Sequence, residues 1–454
     1  MQTLGFRFGT VGTLAPFVLF LTGVIWLGLA GAPDERGFWP VLLAALALGL
    51  LLSRDRRAYA DAAIAGAARP IVLLMIFAWL LAGVMAELMN ASGFIETLVG
   101  AASAAGVSGG AFVAAAFLIC CAVSTATGTS LGTILLCAPL LYPAAGDLAA
   151  DPKMLIGAIL AGAVFGDNIS PVSDTTIASA TTQNAEMGAV VRSRLRYALP
   201  AAACALVAFL VFGASDTHTA PAAGATPSGV DFAGWLLLAA PALVVVLLLK
   251  GRHLIEGLFA GIVSTIVLGL ATGRLQPQQL MYLDRDQFSA KGLIIDGMER
   301  AVGVSIFTIL LMALVAGLEG SGLLERWMST AGRRVRSARG AEFTIFGLTS
   351  ACVLLTTHAV VAILTVGDIT RRLGKRFDVG ANRRANLLDL TVSTYPFLLP
   401  WFIPTVLAAG MTGQGDGMVR LAVTQVGLFN FHSWALLAIA LIAIATGWGR
   451  EREV

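Results

Sequence analysis

Apolar runs of about 20 residues recur along the whole chain, and that is the length an α-helix needs to cross the hydrocarbon of a bilayer. They fall near 11–32, 38–52, 70–89, 108–142, 154–190, 197–212, 232–249, 254–271, 302–318, 343–366, 386–409 and 423–448. With 57% hydrophobic and 13% charged residues, lipid is the main solvent for this sequence. The expected fold is therefore an all-α polytopic membrane protein with about 10–12 membrane segments. The net charge of +3 comes from Arg-rich clusters between the runs, so nothing points to nucleic acid. Clusters at 54–57, 192–196, 250–252, 326–339, 371–384 and 450–452 orient the chain by the positive-inside rule. They place both termini in the cytoplasm and the protein in the cytoplasmic (inner) membrane. The segment around Ala30-Gly31-Ala32 has the look of a cleavable signal, but the many spans behind it favour a retained first helix.

Two runs are interrupted by polar residues where a membrane helix pays most for them. The run at 108–142 is too long for one span and breaks at Ser124-Thr125-Ala126-Thr127-Gly128-Thr129-Ser130, which fits a re-entrant hairpin. The next, 154–190, carries Gly166-Asp167-Asn168-Ile169-Ser170-Pro171-Val172-Ser173-Asp174-Thr175-Thr176 and reads as a broken helix. The same succession returns later: a hairpin at 343–366 interrupted by Thr356-Thr357-His358, then a helix at 386–409 broken by Thr391-Val392-Ser393-Thr394-Tyr395-Pro396. The basic clusters flanking the second hairpin bring it in from the opposite side. The sequence thus predicts two inverted repeats, 1–212 and 231–454, joined by an external Ala/Thr/Pro/Gly-rich linker at 213–230.

Unwound backbone at membrane depth is tolerated where it lines a cavity, and it exposes groups that bind ions. Asp167, Asn168, Ser170, Asp174 and Thr175 offer hard oxygen ligands of the kind sodium takes. A carboxylate that binds either a cation or a proton makes the two compete, which is enough to link their movements. Asp167, at the break before Pro171, is the expected titrating group; Asp174 either shares its face or caps the second half-helix. Ser124, Thr125, Thr127, Thr129 and Ser130 could complete the site or bond only their own backbone. In the second half Thr357, His358, Asp389, Thr391, Ser393 and Thr394 form the corresponding set, with His358 a candidate proton relay. Glu87, Glu256, Glu319 and Asp368 lie near span ends and read as solvated. The five cysteines lie in apolar segments without a CxxC pair, and the four histidines show no zinc-binding spacing. No cofactor is expected beyond sodium and protons as transported ions.

At these residues the chain resembles the NhaC family of sodium/proton antiporters. The resemblance rests on Ala126-Thr-Gly-Thr-Ser-Leu-Gly-Thr133, on Gly166 to Thr176, and more loosely on Asp389 to Trp401. It implies an inverted-repeat transporter with an elevator-like displacement of a transport domain against a scaffold that mediates homodimer formation. Family members often carry Lys where this chain has Asn168, and an Asn or Asp near the second hairpin tip, where His358 stands here. The family also includes exchangers of malate for lactate and carriers of amino acids, so a small organic solute is the alternative cargo to a small cation. An intramembrane hydrolase using Asp167 and Asp174 fits poorly, because catalysis needs one site and alternating access uses two related halves.

Overall fold

The computed structural model describes residues 3–30, 35–171, 173–215, 232–250, 252–285, 288–323, 326, 335–412 and 419–451. Among these, eight helices are long and apolar enough to cross a bilayer, or up to ten if each of two bent pairs is one span; four shorter apolar helices accompany them. This is a multi-pass helical membrane protein. A short antiparallel hairpin, Tyr282–Asp284 against Ser289–Lys291, is the one β-sheet among the described residues.

Both polar tips are two-residue turns between helices: Gly109–Thr127 with Ser130–Leu141, and Ala338–Thr356 with Ala359–Arg376. Gly128 is left-handed (φ 68°, ψ 24°) and Thr129 extended (φ −142°, ψ 119°). Thr357 and His358 repeat that pair of conformations (φ 53°, ψ 18°, then φ −137°, ψ 119°). Glycine takes the left-handed position at a helix end without strain, whereas a β-branched threonine does not. The Thr357 hydroxyl donates to the carbonyl of Thr356 (2.7 Å) in that turn. The second unit extends beyond the expected 343–366 at both ends. Ser337 caps it by accepting from the Gly340 N–H (3.1 Å), and Lys375 and Arg376 complement the dipole in its last turn.

The following spans are both interrupted. Pro152–Ile169 starts on Asp151, whose carboxylate accepts from the N–H groups of Lys153 and Met154 (2.8 and 3.0 Å). It stops at the extended Ser170 and resumes as Asp174–Gln183. Ala381–Val392 stops at Ser393, passes through the 3₁₀ turn Tyr395–Leu398 with Pro396, and resumes at Ile403–Gly410 with a 41° bend. The last run also bends, by 58°, ahead of Phe431–Thr446. Pro152–Ile169 is buried without interruption from Leu155 to Gly166, which marks it as a central helix. It lies so close to Gly109–Thr127 that a Cβ on Gly166 would collide with Ser124 and Thr125, and one on Gly162 with Phe117 and Cys120.

Four regions differ from the expectation. Residues 56–67, expected as cytoplasmic loop, form the helix Arg56–Ala67, whose Gly66 meets Ala316 and Met312. Residues 293–300, ahead of the run expected at 302–318, form a helix whose Gly297 lies against the backbone of Gly83 and Val84, so it packs on Pro70–Ala91. Met187–Phe212 begins ten residues before the expected 197, which carries Arg194 into the interior. Arg383 and Arg384, expected in a surface cluster, are buried: Arg383 pairs with Glu342 (2.9 Å), which Arg450 shares (2.8 Å). Their separation along the chain hid that carboxylate from a local reading. Of the 213–230 linker only 213–215 is described; the rest, with 31–34, Arg333 and Arg334, lies outside the described residues.

Candidate ion-binding site

Where Pro152–Ile169 ends, the last carbonyls of one helix and the first N–H groups of the next lose their intrahelical partners. Asp167 stands at this point. Its Oδ2 accepts from the Ser130 hydroxyl at the hairpin tip (2.8 Å), and its Oδ1 accepts from the Ser173 hydroxyl. Ser173 occupies the N-cap position of Asp174–Gln183 but makes no capping bond, because its hydroxyl is directed to Asp167. Among the described residues no basic side chain forms an ion pair with Asp167. A cavity of about 100 Å³ opens beside it, lined by Ser130, Asp167, Asp174, Thr175, His358 and Ser393 among others. That is room for several waters or a partly hydrated monovalent ion, with the oxygens of Ser130, Asp167, Asp174, Thr175 and Ser393 set in an otherwise largely apolar wall.

Asp389, on the second broken span, is fully buried and differently served. Arg194 Nη1 lies 2.6 Å from its Oδ2, with both side chains inaccessible to solvent. Asn168 Nδ2 (3.1 Å), the Ser393 hydroxyl (3.2 Å) and the Thr175 hydroxyl (3.4 Å) donate to its Oδ1. Thr176 (3.3 Å) and Ser179 (3.4 Å) donate to its Oδ2. Arg194 also donates to the Asn168 carbonyl (2.5 Å), to Thr176 Oγ1 (2.9 Å) and to Asn386 Oδ1 (3.0 Å). A buried ion pair persists only when its remaining donors and acceptors are also satisfied, and this one meets that condition. Arg194 thereby ties the carbonyl freed at the first break to the carboxylate of the second broken span.

The sequence-expected residues divide accordingly. Asp167, Asp174, Thr175, Thr357, His358 and Ser393 line the cavity. Asp174 is exposed in the first turn of its helix and is not the cap, which is Ser173. Asn168 and Asp389 belong to the Arg194 cluster, with Asn168 Oδ1 left without a hydrogen bond. Ser170 is buried at the break. Four hydroxyls turn to backbone: Ser124 to the Ala163 carbonyl (2.5 Å), Thr125 to Cys121 (2.7 Å), Thr391 to Leu387 (2.6 Å) and Thr394 to Thr391 (2.8 Å). Thr127 Oγ1 has no partner and does not line the cavity. A second histidine, His432, is fully buried at the start of Phe431–Thr446. No group of three or more His, Cys, Asp or Glu side chains among the described residues could hold a metal ion. The reading missed Ser173, Thr176, Ser179 and above all Arg194. The signal for Arg194 was present: Val190, Arg194, Tyr197, Ala198, Ala201 and Ala205 form one buried face at helical spacing.

Residues 37–214 match the Na+/H+ antiporter family, a range that holds the first hairpin, the first break and Arg194. Over those residues, about two fifths of the chain, it is similar to that family. The likeness is to transporters and not to enzymes, and it points to secondary cation antiport. The chain is 24% identical over 352 residues to the Na(+)/H(+) antiporter NhaC of Alkalihalophilus pseudofirmus, covering 74% of this chain and 76% of that protein. The Na(+)/H(+) antiporter NhaC of Bacillus subtilis is 24% identical over 317 residues, 66% of this chain and 69% of that one. The malate-2H(+)/Na(+)-lactate antiporter of Bacillus subtilis is 35% identical over a shorter stretch of 102 residues, 22% of each chain. The matched residues supply the carboxylate that faces the cavity and the arginine, while the rest of the chain supplies the carboxylate that the arginine neutralises.

Proposed function

We propose that this protein exchanges sodium for protons across the cytoplasmic membrane, with Asp167 holding either ion in turn. The observation that carries the reading is the contrast in charge compensation. Asp389 is neutralised by Arg194, whereas Asp167 is bonded only by two hydroxyls and faces the cavity. A membrane-buried carboxylate without a cationic partner needs a mobile cation, and sodium and the proton are the ones that fit. Asp174 and Thr175 complete an oxygen-rich wall for the ion. The matching left-handed and extended pairs at the two hairpin tips, and the broken span after each, support two inverted repeats with re-entrant hairpins. In that architecture the hairpins and broken spans move together, elevator-like, against the remaining helices. The basic clusters place both termini in the cytoplasm, and the outer helices would carry the contacts of a homodimer.

A second reading, proton- or sodium-coupled exchange of small organic anions, is favoured by the local match to the malate–lactate antiporter. The cavity argues against it: about 100 Å³ is well below the roughly 300–1,000 Å³ of sites that enclose organic ligands. The test is proton movement in proteoliposomes reported by a pH-sensitive dye, with pulses of sodium, lithium, potassium, malate, lactate and amino acids. Sodium-driven proton flux without organic solute, lost in Asp167→Asn, is the expected result. Flux that starts only when an organic solute is added would overturn the cation reading and leave the architecture in place.

A further inference from the structure

The antiparallel hairpin Tyr282–Asp284 with Ser289–Lys291 joins the helix Leu254–Ala271 to the helices Leu293–Arg300 and Val302–Glu319. Its base is pinned to the ends of membrane helices. Leu275 is buried against Gly269, and its N–H donates to the Gly269 carbonyl (2.9 Å). Arg274 donates to the carbonyl of Ser92, just past the end of Pro70–Ala91 (3.3 Å). A Cβ on Gly292 would collide with the carbonyls of Gln279 and Leu280, so the chain entering the hairpin and the chain leaving it meet there. The hairpin thus starts where two spans end, at the boundary of the hydrocarbon.

Side chains alternate between the faces of a strand, and here the two faces differ in kind. Tyr282, Asp284, Ser289 and Lys291 share one face, on which the Lys291 ammonium lies 2.9 Å from the Asp284 carboxylate with both groups partly covered. Met281, Leu283 and Ala290 fall on the other, and all three are exposed. Leu283 is 71% exposed, and Phe288 in the adjoining turn, at 98%, is the most exposed large apolar side chain among the described residues. Phe288 also holds a left-handed backbone (φ 51°), a strained conformation for a bulky residue that no packing of its ring within the described chain offsets. A hairpin facing water would show the reverse pattern, polar side out, and two short strands alone are only marginally stable there.

We propose that the Leu283 face of this hairpin lies in the surface of the bilayer, with Leu283 and Phe288 reaching below the headgroups and the Asp284–Lys291 pair turned away from the acyl chains. What adjoins the hairpin favours lipid as the occupant. Phe259, Val263, Val267 and Leu270 form one exposed apolar stripe that runs along the preceding helix to its last turn, and Met298 and Val302 are exposed just after the hairpin. Apolar surface on both flanks is the lipid-facing surface of a membrane protein, and the hairpin continues it. A second copy of the chain fits less well, because three large side chains and an alanine fall well short of the about 800 Å² per partner that a stable interface buries. Tyr282 and the exposed Arg285 then stand at the depth where such side chains are enriched, and they hold the connection to the membrane surface. The proposal needs a membrane protein and does not depend on the ion it carries, so its failure is separate from failure of the exchange reaction.

The test uses the full-length chain with the exposed Cys204 replaced by alanine, the other four cysteines being buried. Single cysteines introduced as Leu283→Cys, Phe288→Cys and, on the polar face, Tyr282→Cys are labelled with the fluorophore NBD. All three positions are exposed, so the labelled proteins should elute as the parent does. Each is reconstituted in vesicles of phosphatidylcholine and phosphatidylglycerol, with or without lipid that carries a nitroxide high on its acyl chain. Quenching by the lipid nitroxide at 283 and 288 is expected to exceed that at 282 by about twofold or more, because an interfacial apolar face sits about 5–10 Å into the boundary of headgroups and acyl chains. Aqueous iodide should quench in the opposite order. Iodide quenching at 283 and 288 as strong as at 282, without lipid quenching, would place the hairpin in water and overturn the proposal. Shielding from both quenchers would mean that another copy covers the face, which overturns it equally. Equal lipid quenching at all three positions would overturn the assignment of the faces.

Discussion

The two breaks each present a buried aspartate, and the two carboxylates are handled in opposite ways. Asp389 is held by Arg194, Asn168, Ser393 and three hydroxyls of the helix that begins after the first break. Asp167 has Ser130 and Ser173 and an open cavity. A compensated charge is part of the framework; an uncompensated one beside a cavity can be satisfied only by something that comes and goes. The pairing also shows why the arginine is needed so deep. It fastens the first break to the second broken span and leaves Asp167 without a basic ion-pair partner among the described residues.

The largest effect should come from removing that charge. Asp167→Asn is expected to abolish sodium-dependent proton flux in proteoliposomes while the purified protein keeps its elution volume and melting temperature. Normal flux in this variant would erase the distinction between the two carboxylates.

Next comes Arg194→Met, which leaves Asp389 buried without a cation. Breaking such a pair costs about 3–5 kcal/mol, so folded yield and thermal stability should fall sharply. Replacing both members, as Arg194→Met with Asp389→Leu, should recover much of that stability, because no charge is then left uncompensated. A double variant as unstable as the single one would mean that the hydrogen bonds around the pair, rather than its charges, hold the breaks together.

Smaller effects are expected at the hydroxyls of the free carboxylate. Ser130→Ala and Ser173→Ala each remove one bond to Asp167, worth about 1.5–3 kcal/mol when the acceptor is charged. The apparent sodium affinity and the pH profile of exchange should shift, with little change in melting temperature. The smallest is Thr125→Val. Its hydroxyl serves only the Cys121 carbonyl, so flux and affinity should stay within about twofold of the parent. A large loss there would enlarge the site beyond the residues that line the cavity.

Much of this organisation was legible in the sequence because it depends on local chemistry. A membrane helix interrupted by Gly, Pro and hydroxyls announces its break wherever it lies, so the tips at 127–130 and 356–358 and the breaks after Asp167 and Val392 fall where the composition placed them. Asp167 could be named for the same reason. What the sequence could not show was which carboxylate would find a cation. Arg194 is 195 residues from Asp389, and Arg383 is 41 from Glu342; in a linear reading each arginine looks like part of a solvated cluster. Hydropathy averages also hide direction, so Thr125 and Ser124 looked equivalent to Ser130 until the helix turned them toward backbone. Apolar length and the cost of polar groups in lipid thus determined, from the sequence alone, that this is a helical membrane protein with two broken spans. Which of the two aspartates is compensated by an arginine was decided only by tertiary packing, because compensation of a buried charge depends on what folding brings within 3 Å of it.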